Sequence, residues 1–121
     1  MSKAKIFRER IEEAGFTYSA ILLEMENAYL FLLSEGGERL GTLAVSIPPK
    51  PGIIGPPLST ILLGERNAAL SRMLAERLAQ KFRRLVLVSI FTRTVKEEQV
   101  YNKFLNLLDK ILKKMEVENE S

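Results

Sequence analysis

A scan for residues able to do chemistry returns few. Glu12-Glu13 and Glu97-Glu98 are adjacent carboxylates. On a strand such neighbours point to opposite faces, and on a helix they diverge by about 100°, so neither pair converges as acid/base catalysis or a metal would require. Ser59 and Thr60 offer hydroxyls, but the 121-residue chain contains no His to take their proton. A Ser–Lys arrangement stays open, without a local signature to support it. Cys is also absent, which removes thiolate nucleophiles, disulfides and Cys-based zinc or iron–sulfur sites. Gly36-Gly37 lacks the spacing of a phosphate loop and does not open a helix. Leu63-Gly64-Glu65 lies between a strand and a helix, where α/β enzymes place ligands, yet one glycine specifies only a tight turn. The reading assigns no catalytic, cofactor or metal residue.

Binding groups are more visible. Glu65 to Lys114 holds 12 basic and 5 acidic residues, whereas Met1 to Lys50 is balanced and the end carries Glu116, Glu118 and Glu120. Arg66, Arg72, Arg77 and Lys81 lead a basic set that would suit an acidic protein or a phosphate backbone, against the bland reading of a solvated helix face. Arg72 is placed to pair with Glu76 at i+4. Phe82, Phe91 and Phe104 read as buried, which counts against nucleic acid. Ile53 and Ile54 sit in PPKPGIIGPP, residues 48–57, which contains all five prolines. They either tuck under the loop or form a stiffened contact tip that loses little entropy on docking. These six residues, Ile53, Ile54, Arg66, Arg72, Arg77 and Lys81, are the candidate partner-binding set.

The elements that must position them follow from periodicity. The Pro segment excludes helix and central strand. Before it, Lys5–Glu12, Thr17–Met25, Ala28–Leu33 and Arg39–Ile47 read as four strands. Short connections favour an antiparallel meander, with Gly36-Gly37 as the hairpin between the last two. After it, Leu58–Leu63 is a fifth strand. Asn67–Phe82 is a helix with Leu70, Met73, Leu74 and Leu78 on its apolar stripe, Ala68, Ala75 and Ala79 on a small-residue edge, and Asn67 as N-cap. Leu85–Phe91 is nearly all apolar and reads as a central strand buried on both faces. Thr94-x-x-Glu97 is a capping box opening a second helix with Val100, Tyr101, Phe104, Leu105, Leu108, Ile111, Leu112 and Met115 on one face; the end past Met115 is expected to fray. The expectation is one α+β domain over residues 1–121: an antiparallel-rich sheet of about six strands flanked by two helices, in the order β-β-β-β-β-α-β-α. Apolar content of 46% and charge content of 27% suit a globular chain. No targeting or membrane segment is visible, so a soluble cytoplasmic protein is expected. The lack of Cys and the Arg/Lys/Glu richness suggest a thermophilic source.

The run Leu58-Ser59-Thr60-Ile61-Leu62-Leu63-Gly64, the helix segment Leu74-Ala75-Glu76-Arg77-Leu78-Ala79-Gln80-Lys81 and the strand Leu85-Val86-Leu87-Val88-Ser89 resemble elements of the proteasome assembly chaperones of the third and fourth type. Gly41-Thr42-Leu43 is similar to a strand start in the third type. The similar elements run from about Lys5 to Met115; the Pro loop and the long charged second helix depart from the pattern. The resemblance implies a non-enzymatic, cofactor-free chaperone that binds proteasome α-type subunits during α-ring assembly. It also implies pairing through a pseudo-symmetric interface, here as a homodimer. Two alternatives remain: a nucleic-acid-associated protein using the basic second half, and a small ligand-binding regulator built at Gly64.

Overall fold

The computed structural model describes residues 3–55, 57–94 and 97–120. Its elements are β1 (Lys5–Glu13), β2 (Phe16–Glu24), β3 (Ala28–Glu35), β4 (Thr42–Ile47), β5 (Leu58–Leu63), α1 (Ala68–Phe82), β6 (Leu85–Phe91) and α2 (Glu97–Glu120). They form one α+β unit, a six-stranded sheet in the order β1-β2-β3-β6-β4-β5 carrying two helices.

The meander holds for β1, β2 and β3 and then stops. β3 and β4 are not partners: β6 lies between them, parallel to β3 and antiparallel to β4. Gly36 does take a positive φ of 81°, but the Gly36-Gly37 bend starts a crossing over one strand's width instead of a hairpin. Side chains hold that bend, with the Ser19 hydroxyl donating to the Gly36 carbonyl at 2.7 Å and Ser34 to Gly37 at 2.8 Å. β6 wins the central slot because its seven residues LVLVSIF carry no charge and can be enclosed by strands on both sides.

Register fixes the faces. Opposed residues share a face, so Leu22, Phe31, Val88 and Ala44 form one row across four strands. Both helices pack on that side and complete one core with Tyr18, Leu33, Val86, Ile90, Leu74, Ala75, Ala79, Phe104 and Ile111. The small-residue edge of α1 is what meets the sheet: Ala75 and Ala79 are fully buried, while Met73, expected in the stripe, is turned outward. α2 seats Phe104 edge-to-face against Tyr18, ring centroids 6.2 Å apart.

The ends of the helices differ from expectation. Asn67 holds the N-cap position of α1 in the left-handed region (φ 64°), with no side-chain cap. Its buried amide instead donates to the Thr92 hydroxyl at 2.8 Å. The Thr94 hydroxyl donates to Glu35 at 2.7 Å, and Glu35 also accepts the Arg93 and Thr94 backbone N–H groups at 3.1 Å. Residues 95 and 96 and the Glu97 side chain, the rest of the expected capping box, lie outside what is described. Past Met115 the helix does not fray but continues to Glu120, where Lys5 donates to Asn119 at 3.1 Å.

Candidate functional site

Two of the surfaces that the fold leaves open bear on the candidate residues. The first follows the outer side of α1. Two hollows, of about 380 and 620 Å³, share Gln80 and together run from Ala69 to Arg83. Arg72, Met73, Glu76 and Arg77 line the first with Pro57; Ile53, Ile54 and Arg83 line the second with Pro49. The wall of this trough is the proline loop, which is stiff because each proline fixes φ.

Ile53 and Ile54 do not tuck under the loop. Ile54 is 100% exposed and Ile53 59%. Arg72 lies in the trough, and its Nε donates to the Ser59 hydroxyl at 3.1 Å, while Ser59 donates to the Glu76 carboxylate. The Arg72–Glu76 pairing is thus bridged through Ser59, and the three clamp β5 to α1. The Ser59 oxygen is occupied on both counts, as acceptor and donor. Arg77 lines the same trough but turns its guanidinium toward α2, 3.3 Å from the Tyr101 hydroxyl. Lys81 lies in a separate groove between the helices, with Leu78, Leu105 and Asp109. Arg66 is apart, donating to the Arg93 carbonyl at 3.2 Å. The six candidate residues therefore divide: Ile53, Ile54, Arg72 and Arg77 share the trough; Lys81 and Arg66 do not. Met73 and Arg83 join it. Met73 was hidden by being counted in the stripe; Arg83, one of the basic set that the sequence shows on and after this helix, lies just past the helix end, where a left-handed turn (φ 57°) redirects the chain.

The second surface is the other face of the sheet. Neither helix covers it. Ile21, Leu23, Leu30, Leu32, Leu43, Val45, Leu85, Leu87 and Phe91 are half-buried there, and Ile6, Ile47 and Leu58 stand 54–78% exposed. The expectation that β6 is buried on both faces is met on the helix side only. Sequence inspection held part of the signal: β3 and β6 are apolar at both parities, so helices placed on one side alone leave a second apolar face. Phe82 and Phe91 are also only half-buried, with Lys81 5.9 Å from the Phe82 ring and Arg39 and Arg93 at 5.5 and 5.9 Å from the Phe91 ring. Phe104 is fully buried.

The Gly64 turn packs directly on β4. Gly64 has φ 87°, and a Cβ there would come within 2.6 Å of the Thr42 hydroxyl, so strand and turn are in close contact. Glu13 pairs with Lys103 and Glu12 with Arg10, and neither faces the other as a catalytic couple. Two groups have displaced pKa values. Burial alone would raise the Glu9 carboxyl, but the Lys114 hydrogen bond, the Arg10 backbone N–H and the charges of Lys114 and Lys110 outweigh it and hold it below 4.5. Burial and the charges of Glu35 and Glu13, set against Lys103, raise the Tyr18 phenol above 10.0. Among the described residues no group of three or more His, Cys, Asp or Glu could hold a metal, and no helix is long and apolar enough to cross a membrane.

A family model described as "Proteasome assembly chaperone 4" matches residues 17–90, from the start of β2 to the end of β6. The chain also superposes on one from the crystal structure of a chaperone complex for yeast 20S proteasome assembly, with a TM-score of 0.68 and 16% identity. That alignment covers 95% of this chain and 97% of the yeast one. At that identity the likeness is one of fold. No curated protein sequence matches.

Proposed function

Since the chain belongs to the proteasome assembly chaperone 4 family, we propose that it binds free proteasome α-type subunits through the α1–proline-loop trough and assists α-ring assembly. The observation that carries this reading is Ile54. An apolar side chain wholly in water, on a loop stiffened by proline, does nothing for the fold. Docked in a partner's pocket it would contribute about 1.5–3 kcal/mol. Arg72 and Arg83, beside it in the trough, add orientation by pairing with acidic groups of the client.

The chain works by binding alone, as a single domain over residues 1–121, in the cytoplasm and without cofactor. It needs only a higher affinity for the free subunit than for the finished ring; neighbouring subunits then displace it. Its working form is a homodimer closed by the open sheet face, whose uncharged centre (Leu30, Leu32, Leu85, Leu87) would be self-complementary about a two-fold axis. A Cys-free, charge-rich composition supports a thermophilic source.

The test is the mass of the species formed when the purified chain meets monomeric α-type subunit. A complex that Ile54→Asp weakens by roughly tenfold is expected. No complex at micromolar concentration, together with unchanged α-ring yield, overturns the proposal. Nucleic-acid binding is the second outcome to exclude, by a titration whose affinity would fall steeply with salt.

A further inference from the structure

At the end of the sheet where β3, β5 and β6 finish, the fold gathers three arginines from three separate parts of the chain. Arg39 belongs to the crossing from β3 to β4, Arg66 to the turn before α1 and Arg93 to the loop after β6, and all three are exposed. Two of them sit on one ring: the Arg39 and Arg93 guanidinium carbons lie 5.5 and 5.9 Å from the centre of the half-buried Phe91. The third joins through the backbone, its guanidinium donating to the Arg93 carbonyl at 3.2 Å. The loop that carries Arg93 is tied down as well. Thr92 is buried and accepts from Asn67 at 2.8 Å, and the Arg93 N–H donates to Glu35 at 3.1 Å. Among the described residues none of the three guanidiniums has a carboxylate at ion-pair distance, whereas Arg8, Arg10, Lys103, Lys113 and Lys114 each do. Glu38, the neighbour of Arg39, is turned to Arg8 at 2.9 Å. Like charges held together without a counter-charge repel weakly and contribute nothing to the core.

We propose that Arg39, Arg93 and Arg66 form a docking site for an extended acidic segment of a protein partner. Charge complementarity selects the occupant, and the guanidinium fork takes a carboxylate by two parallel hydrogen bonds. Because Arg39 and Arg93 share one ring, a single short segment reaches both. At about 3.3 Å per residue, carboxylates a few positions apart on an extended chain match that spacing. Leu40, next to Arg39 and 59% exposed, offers an apolar contact for a side chain between the acids. The same ring counts against nucleic acid, since two guanidiniums lie over Phe91 and a base would need an open aromatic face to stack on. The site shares no residue with the α1–proline-loop trough and does not rest on the reading of the client.

The test is fluorescence anisotropy of the full-length chain with a labelled octapeptide, glutamates alternating with serine around one central leucine. The control probes are the same peptide with glutamine at every glutamate and a labelled single-stranded oligonucleotide. The acidic peptide is expected to bind, and the double variant Arg39→Gln/Arg93→Gln to weaken it roughly tenfold. Arg66→Gln weakens it less. Arg10→Gln, which removes an exposed arginine already paired with Glu12, leaves it unchanged. Phe91→Leu keeps every charge but removes the ring that seats two of them, and weakens binding roughly threefold. Unchanged far-ultraviolet circular dichroism shows that each variant is folded. No binding of the acidic peptide at millimolar concentration overturns the site, as does equal binding of the glutamine peptide. A loss with Arg10→Gln as large as with the double variant also overturns it, because net charge alone would then account for the binding. So does an unchanged affinity in Phe91→Leu, or an oligonucleotide bound more tightly than the peptide and released by the double variant.

Discussion

The two faces of this sheet are made from nearly the same residue types and have opposite fates. On the helix side, Phe31, Leu33, Val86 and Val88 are fully buried beneath α1 and α2. On the other side, Leu30, Leu32, Leu85 and Leu87, alternating with them along the same strands, keep part of their surface in water. The difference does not lie in hydrophobicity. It lies in how much cover two helices supply, because each can roof about half a six-stranded sheet and both fall on the same side. A face left apolar when cover runs out is available for another molecule.

The comparison is broken most severely from the covered side. Phe104→Ala removes a ring with no solvent exposure, packed on Tyr18, and should cost about 3–5 kcal/mol in a denaturant titration. A cost below about 1 kcal/mol would mean that α2 does not seal the core. The open face should answer in association and not in folding: Leu87→Lys leaves dilute protein folded, within about 1 kcal/mol of the parent. It abolishes the rise in melting temperature with concentration that a dimer shows. A concentration-dependent melting temperature retained in the variant would place the contact elsewhere.

A smaller effect sharpens the margin of the covered face. Glu9 lies beneath Lys114 with its pKa lowered in the folded state. The folded state therefore binds its proton less readily than the unfolded chain. This stability is present above the unfolded value near 4.5 and is lost as pH falls through the folded value. Glu9→Gln should flatten that acid limb, and unchanged slopes of stability against pH would refute the assignment. The smallest effect on stability belongs to the trough. Ile54→Asp should shift the unfolding free energy by no more than about 0.5 kcal/mol, since the side chain touches solvent alone, while weakening client capture.

How much of this was legible beforehand depended on range. The elements followed from local spacing, with boundaries within a few residues, because period and turn residues act over a handful of positions. Ile53 and Ile54 stood out as apolar residues in a proline-rich loop, but whether they tuck under it or stand in water was open in the sequence and is decided by the structure. Arg66 and Lys81 were grouped with Arg72 and Arg77 by sequence proximity. A helix sends side chains around its whole circumference, and the partners that pull them apart (the Arg93 carbonyl for Arg66, the α2 groove for Lys81) come from later in the chain.

The amino-acid order by itself determined a His- and Cys-free chain without the usual catalytic groups. It also determined eight elements in sequence, a stiff proline loop and a second half richer in positive charge. Only the tertiary structure decided that β6 enters between β3 and β4, that both helices cover one face, and that β5 ends the sheet uncharged. Each of those is a choice among partners distant in sequence. Such choices are settled by competition for burial across the whole core, which no local window of residues contains.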